Sequence, residues 1–247
     1  EIEAFVHGAM CMSFSGRCIL SDYMVGRDAN RGDCAQPCRW KYNLVEEHRP
    51  GQYMEIGETP DNGSYILNAN DLCTAPFIDL ICKAGVDSLK IEGRAKTFYY
   101  VASVVSAYRR ALDAFLANPY SDNFELPDDV IEELNRTSHR HYSPGFYFGK
   151  EQAQQTPSHT YVRDWDFIGT VDGWENGVAH CTQRGKFTAG DSIEILQPDG
   201  SVIPLAPAWI ENADGERVDA TPHPMMQYTI PCETPLMAYS LIRMQKQ

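Results

Sequence analysis

The sequence predicts an α/β protein that continues into a separate all-β domain, and two patterns along the chain predict it. In the first half, a helix, a strand and a second helix follow one another with short connections, which is typical of a parallel α/β sheet. From about residue 160 the apolar runs are short, alternate with polar residues and are separated by Asp-Gly and Pro turns, as in antiparallel β structure. With 247 residues, of which 43% are hydrophobic, the chain is long enough for about two domains.

The first half begins with a predicted strand over Ile2–His7, where apolar and polar residues alternate. Asp71 is predicted to cap a helix that ends at Gly85, because a helix commonly starts after Asp and stops at Gly. The predicted strand Val86–Glu92 follows. A second helix is predicted over residues 101–115, where apolar residues recur every three or four positions.

These elements give three predicted segments of the chain. Residues 1–117 form the first domain, residues 118–159 a linker with a short acidic helix, and residues 160–247 a small β barrel or sandwich. The β-like runs of the last segment are Phe167–Val171, Gly177–His180, Ser192–Leu196, Gln227–Ile230 and Tyr239–Ile242. Because the chain begins with Glu1 at what reads as the middle of a sheet, we expect it to be part of a longer protein.

The charge of the chain limits the partners that it can bind. A net charge of −13 argues against nucleic-acid binding by a general electrostatic field, because that binding depends on Lys and Arg. Any RNA contact must be local, and the best candidate is Arg27–Tyr42, where basic and aromatic side chains are interleaved; the alternative is a solvated loop with ion pairs. No leader and no run of about 18 apolar residues is seen, so we expect no membrane contact and a cytoplasmic location.

The cysteines are concentrated in the first half of the chain. Thiols stay reduced in the cytoplasm, so disulfides are disfavoured. Structural zinc sites use cysteines two to four residues apart, and only Cys34 and Cys38 are that close. Cys11 and Cys18 share one loop, and thiolates gathered from separate loops suit an iron–sulfur cluster. Spacing alone leaves zinc and iron–sulfur open.

Five segments of the chain resemble the signature of the collagenase-like peptidase U-32 family. They are His7–Cys18, Arg27–Arg39, Asn68–Cys73, Asp87–Arg94 and Ser138–Arg140. The resemblance covers most of residues 1–150 and extends more loosely through the β domain. It implies that residues 1–116 are the C-terminal half of a TIM-like (β/α) barrel, that the N-terminal half of this barrel is a partner, and that the β domain is the family's C-terminal barrel.

The resemblance also implies an activity and a cofactor. Relatives in this family are oxygen-independent hydroxylases, and the chain is most similar to the branch that hydroxylates the tRNA wobble uridine with prephenate. tRNA and prephenate are therefore the expected partners. The resemblance places the ligands of a 4Fe-4S iron–sulfur cluster at Cys11, Cys18, Cys34 and Cys73, with Cys38 as an alternative to Cys34.

The predicted catalytic residues lie at two strand ends, because barrel sites form at the C-terminal ends of strands. His7 ends the first predicted strand, and Lys90, Glu92 and Arg94 end the second. Lys90 and Arg94 are suited to hold the two carboxylates of prephenate. The alternative is a local pair between Glu92 and one of these two cations.

Two other functions stay open from the sequence. The family name suggests a peptidase, although the chain has no His-Glu-x-x-His and no Gly-x-Ser-x-Gly motif. The chain could also be a binding module, whose β domain positions RNA or a partner without activity of its own. His139 and Arg140 are interpreted as residues that pack the linker rather than as substrate contacts.

Overall fold

The computed structural model describes residues 1–10, 18–40, 42–45, 47–48, 50–51, 53–55, 70–149 and 161–246. The chain divides into two units that are each discontinuous in sequence. Unit 1 comprises Glu1–Val101, Ala114–Leu126 and His139–Val162. Unit 2 comprises Ala102–Asp113, Pro127–Ser138 and Arg163–Gln247. The predicted boundaries at residues 117 and 160 stay predictions, and the long helix that they assign to the first domain contributes to both units.

Unit 1 contains a mixed four-stranded sheet and a separate two-stranded pair. The strands are β1 (Glu3–Ala9), β2 (Asn43–Val45), β3 (Tyr53–Glu55), β4 (Asp71–Cys73), β5 (Ser88–Ile91) and β6 (Tyr142–Ser143). The larger sheet has the order β5-β1-β4-β6, and β2 pairs with β3. Strand β1 runs parallel to β5 and antiparallel to β4, and β4 runs parallel to β6. The predicted strand before Gly93 is confirmed by β5.

The pairing of β1 with β4 bears on two predictions, the half barrel and the helix cap at Asp71. Neighbouring strands of a TIM barrel are all parallel, whereas His7 pairs with Cys73 in an antiparallel ladder. The half barrel therefore stays a prediction, while the α/β class of this part is confirmed. The predicted helix cap at Asp71 is wrong, because residues 71–73 form backbone hydrogen bonds to β1 and the helical turn begins only at Ala75.

Helices are short in the first part of the chain and longer after β5. The α-helices are α1 (Leu20–Val25), α2 (Ile78–Lys83), α3 (Phe98–Ala117) and α4 (Asp128–Asn135), and the 3₁₀ helices are Ala29–Arg31, Pro37–Arg39 and Ala75–Phe77. Thr97 caps α3, because its side chain accepts a hydrogen bond of 3.2 Å from the backbone N–H of Tyr100. The second predicted helix is confirmed by α3. Among the helices of the described residues, none is long and apolar enough to cross a membrane.

Unit 2 is built on an eight-stranded antiparallel sheet. Its strands are β7 (Trp165–Glu175), β8 (Val178–Gln183), β9 (Ile193–Leu196), β10 (Val202–Leu205), β11 (Ile210–Asn212), β12 (Arg217–Val218), β13 (Gln227–Pro231) and β14 (Leu241–Gln245). Their order is β10-β9-β14-β7-β8-β13-β11-β12. Alternating apolar side chains of these strands form a buried core that includes Ile168, Ile195, Ile230 and Ile242. The predicted antiparallel β structure after residue 160 is confirmed.

A buried ion network joins α4 to this sheet within unit 2. Arg243 is fully buried and donates hydrogen bonds to Glu133 at 2.6 Å and to Glu194 at 3.0 Å. Arg136 lies 3.4 Å from Glu194, and the guanidinium carbons of both arginines lie 5.2 and 5.4 Å from the centre of the Trp165 ring. Buried charges need such partners, so the network fixes the position of α4 in unit 2.

Candidate functional site

The carboxyl ends of β1 and β5 lie side by side and bring His7 next to Glu92. His7 is opposite Ile91 in the parallel ladder, and the backbone N–H of Glu92 donates to the carbonyl oxygen of His7 at 2.8 Å. Gly8 permits this close approach. A Cβ at residue 8 would lie 2.8 Å from the Cβ of Glu92 and closer still to its carbonyl oxygen. Two of the predicted catalytic residues, His7 and Glu92, thus meet at one edge of the sheet.

His7 is fully buried among aromatic rings. Its ring centre lies 5.2 Å from that of Tyr142 and 6.0 Å from that of Tyr100. Burial lowers the pKa of His7 to about 3, although the nearby Asp71 carboxylate opposes the shift. His7 is therefore neutral near pH 7, and it is a weak proton acceptor there.

The other two predicted catalytic residues, Lys90 and Arg94, have different surroundings. The Lys90 ammonium donates to Glu3 at 2.8 Å and lies 5.0 Å above the Phe5 ring, with its side chain about half exposed. The Glu92 carboxylate accepts a hydrogen bond of 2.9 Å from the backbone N–H of Arg94. The structure thus pairs Lys90 with the first strand and not with Glu92.

A pocket of about 130 Å³ is lined by three thiols. Cys18, Cys34 and Cys38 face it together with Glu92 and Arg94. The Cys34 sulfur accepts a hydrogen bond from the backbone N–H of Gln36 at 3.3 Å. Soft thiolate donors around one cavity have the chemistry that iron and zinc require.

The cysteine ligands predicted from the family are only partly gathered at this pocket. Cys73 is buried in β4 opposite His7 and is not among the described residues that line the pocket, whereas Cys11 lies outside the described residues. Within the described part of the chain, no three His, Cys, Asp or Glu side chains are close enough to hold one metal ion. The four-cysteine ligand set therefore stays a prediction.

A larger and mainly apolar cavity of about 510 Å³ is also lined by residues at the carboxyl ends of β1 and β5. Its walls include Phe5, His7, Met10, Leu72, Phe146 and Tyr147. Ala9, Met10 and Glu92 line both this cavity and the cysteine pocket, so the two spaces adjoin each other. A small ligand with an apolar ring fits the larger space, beside a wall that carries the neutral imidazole of His7.

The predicted helix cap Asp71 and the predicted linker residues His139 and Arg140 are buried polar residues of unit 1. Asp71 is fully buried and accepts the backbone N–H of Arg140 at 3.1 Å. The His139 ring stacks on Tyr142 at 4.1 Å, and burial lowers the pKa of His139. The Arg140 guanidinium carbon lies 5.0 Å from the centre of the Tyr161 ring. The Ser138–Arg140 segment could be identified from the sequence, whereas the burial of His139 and Arg140 could not.

The predicted RNA segment Arg27–Tyr42 contains local ion pairs. The Arg27 guanidinium binds Asp33 at 2.7 Å, and Arg31 lies 3.6 Å from Asp28. Trp40 is 41% exposed, which leaves an aromatic face available for stacking on a base. The charges in this segment are thus partly neutralised by one another, and the RNA contact of Arg27–Tyr42 stays a prediction.

Sequence comparisons identify two matching family profiles. Peptidase family U32 matches residues 1–157, and the Peptidase family U32 C-terminal domain matches residues 163–243. The division between the two profiles falls between residues 157 and 163, close to the start of the antiparallel sheet.

Three curated relatives illustrate what the chain is similar to. The tRNA hydroxylation protein P1 of Bacillus subtilis is 37% identical over 229 residues, which cover 91% of this chain and 53% of the relative. The tRNA hydroxylation protein P of Escherichia coli is 35% identical over 266 residues, which cover 90% of this chain and 57% of the relative. A collagenase of Porphyromonas gingivalis is 34% identical over 210 residues, which cover 82% of this chain and 48% of the relative. The chain spans about half the length of these relatives.

Proposed function

Because the chain belongs to peptidase family U32, we propose that the protein hydroxylates tRNA, at carbon 5 of the wobble uridine. The observation that carries this proposal is the 37% and 35% identity to two tRNA hydroxylation proteins over about nine-tenths of the chain. In this proposal the N-terminal half of the barrel is a partner that completes the site.

We propose prephenate as the source of the oxygen atom. Prephenate carries a ring and two carboxylates, and the apolar cavity beside His7 offers a space for the ring. Of the two predicted cations, Arg94 lines the adjoining cysteine pocket, and its planar guanidinium suits a carboxylate. Lys90 is held by Glu3 at 2.8 Å, so we assign the carboxylate contact to Arg94 first.

The proposal includes a 4Fe-4S cluster on Cys11, Cys18, Cys34 and Cys73, with Cys38 as the alternative to Cys34. Support comes from the thiols of Cys18, Cys34 and Cys38 around one pocket that adjoins the apolar cavity. A bound cluster supplies electron transfer. The chain's own residues provide the thiolate ligands, the neutral wall at His7 and the cation of Arg94.

The proposed tRNA contact is local. The chain carries a net charge of −13, so phosphate contacts alone cannot hold tRNA tightly. Stacking of an unpaired anticodon base on Trp40, in the Arg27–Tyr42 segment, does not depend on net charge. Binding is therefore expected to be weak and base-directed.

The experiment that tests the proposal measures hydroxyuridine in cellular tRNA by mass spectrometry. Deletion of the gene is expected to remove the nucleoside, and the wild-type gene to restore it. Arg94→Ala and Cys18→Ala are expected not to restore it. The matched controls Arg109→Ala, an exposed residue paired with Asp113, and Cys82→Ala, a thiol of α2, are expected to restore it. An unchanged nucleoside content after deletion contradicts the proposal.

A second candidate function is peptide hydrolysis, which the 34% identity to a collagenase favours. The low pKa of His7, about 3, argues against this residue as a general base near neutral pH. Two results together would support the peptidase: the purified protein cleaves a collagen-like peptide, and deletion of its gene leaves the tRNA nucleosides unchanged. A protein with neither activity that still binds tRNA would support the binding module.

A further inference from the structure

The side chain of Arg94 packs against the backbone of Gly32 at the cysteine pocket. A Cβ added at residue 32 would lie 2.5 Å from Cδ and 2.8 Å from Cγ of Arg94. Both residues line the pocket, together with Cys18, Cys34 and Cys38. Atoms in a folded protein do not overlap to this extent, so a side chain at residue 32 and the observed position of Arg94 exclude each other.

The backbone around Gly32 is held in place by its own hydrogen bonds. Gly32 has a φ of +80°, which favours glycine. Its backbone N–H donates to the carbonyl oxygen of Ala29 at 3.2 Å, and the next N–H, of Asp33, donates to the carbonyl oxygen of Asp28 at 3.2 Å. Since this turn is closed on both sides of residue 32, an added methyl group should displace the side chain of Arg94 rather than the turn.

The guanidinium of Arg94 is placed by packing and not by an ion pair. The backbone N–H of Arg94 donates to the Glu92 carboxylate at 2.9 Å, whereas its guanidinium has no ion pair among the described residues. Lys90, the other predicted cation, is bound to Glu3 at 2.8 Å. The stem of a long cationic side chain can pack while its charged end stays free to bind. Arg94 is therefore held without occupying its hydrogen-bond donors.

We propose that Gly32 is a positioning residue for Arg94. Because residue 32 has no side chain, the arginine stem can cross it, and the guanidinium then lies at the thiol pocket with its N–H donors available to a ligand. An acidic partner would fix the same cation but would occupy those donors. The inference rests on the proposed function only for its effect on tRNA, because the position of the side chain can be measured without turnover.

The first test follows the Nε–Hε signal of Arg94 by nuclear magnetic resonance in the isotope-labelled, purified chain, where Arg94→Lys identifies the signal by its loss. Gly32→Ala should shift this signal toward that of a free arginine side chain. The matched control is Gly26→Ala, because Gly26 has a φ of +67° and nothing lies within 4 Å of an added Cβ. Gly26→Ala should leave the signal unchanged. An unmoved signal in Gly32→Ala, or an equal shift in both variants, would overturn the inference.

A second measurement keeps the inference testable if Gly32→Ala folds poorly. Urea unfolding compares Gly32→Ala with Gly26→Ala, each alone and each combined with Arg94→Ala. We expect Gly32→Ala alone to have the lower midpoint, because its methyl group displaces the packed stem. The difference should disappear once Arg94→Ala removes that stem. A difference that survives in the Arg94→Ala background would show that residue 32 serves the turn alone, and would overturn the inference.

The tRNA assay separates this inference from the proposed function. Gly32→Ala should restore less hydroxyuridine to the deletion strain than the wild type does, whereas Gly26→Ala should restore it fully. Full restoration by Gly32→Ala, with none by Arg94→Ala, would overturn the positioning role and leave the proposed function intact. If deletion of the gene changes no tRNA nucleoside, the proposed function fails, while a shifted Arg94 signal still supports the positioning role.

Discussion

Replacing Gly8 with alanine tests whether the close approach of β1 and β5 positions the candidate site. Gly8 has a φ of +123°, and an added Cβ would lie 2.8 Å from the Cβ of Glu92 and closer to its carbonyl oxygen. A side chain in this part of backbone space costs about 1–3 kcal/mol. Overpacking against the backbone of the neighbouring strand costs about 1–3 kcal/mol more. We expect Gly8→Ala to lower the free energy of unfolding by about 2–6 kcal/mol.

Gly85→Ala is the matched control for backbone strain. Gly85 has a φ of +84°, and nothing lies within 4 Å of the Cβ that alanine would add. Only the strain remains, at about 1–2 kcal/mol. Urea unfolding followed by circular dichroism measures both losses. In the tRNA assay, Gly8→Ala should also lower the hydroxyuridine content, since it displaces Glu92 from His7.

Equal losses of stability in the two variants would refute this reasoning. They would mean that the end of β5 moves away at no cost, so that the contact between residues 8 and 92 does not fix the site. A stable Gly8→Ala protein with normal hydroxyuridine content would refute the positioning role of Gly8 directly.

Three further predictions concern other parts of the chain. Arg243→Met should lose about 3–5 kcal/mol in urea unfolding because it leaves Glu133 buried beside a weaker partner, whereas the double variant with Glu133→Leu should recover most of the loss. The pKa of His7 is about 3 in the folded chain, so below about pH 6.5 the unfolded chain takes up a proton at this residue and the folded chain does not. The free energy of unfolding should therefore drop by about 2 kcal/mol between pH 7 and pH 5. A His7→Gln chain with the same drop would contradict this prediction. Anaerobically purified Cys18→Ser should lose iron while Cys82→Ser keeps it, and equal iron contents would count against Cys18 as a ligand.

The sequence located one edge of the site because parallel strands end together. The strands that carry His7 and lead to Glu92 could be read from alternation and from Gly93, and β1 and β5 are parallel neighbours, although β1 continues past His7 to Ala9. The environment of Lys90 could not be read in this way, since its partner Glu3 is 87 residues away in the chain. A strand end specifies an edge of the sheet, whereas the partner of a side chain depends on which strand lies next to it.

Asp71 shows the same limit for secondary structure. Asp followed by apolar residues is a normal helix start, and α2 does follow soon after. Residues 71–73 became a strand because β1, more than 60 positions earlier, offered its backbone for pairing. Local propensity was overruled by a long-range partner that the local pattern does not contain.

Arg140 shows why the burial of a charged side chain could not be predicted from the sequence. A charged residue in a polar connecting segment is normally solvated. Here the backbone of His139 pairs with Val162, with N–H to carbonyl distances of 2.8 and 3.2 Å. The backbone N–H of Asp71 donates to the carbonyl oxygen of His141 at 3.0 Å, which connects the segment to β4. Arg140 is thereby buried beside Tyr161, the residue before Val162. Backbone pairing between distant residues thus accounts both for the burial of the guanidinium and for the ring beside it.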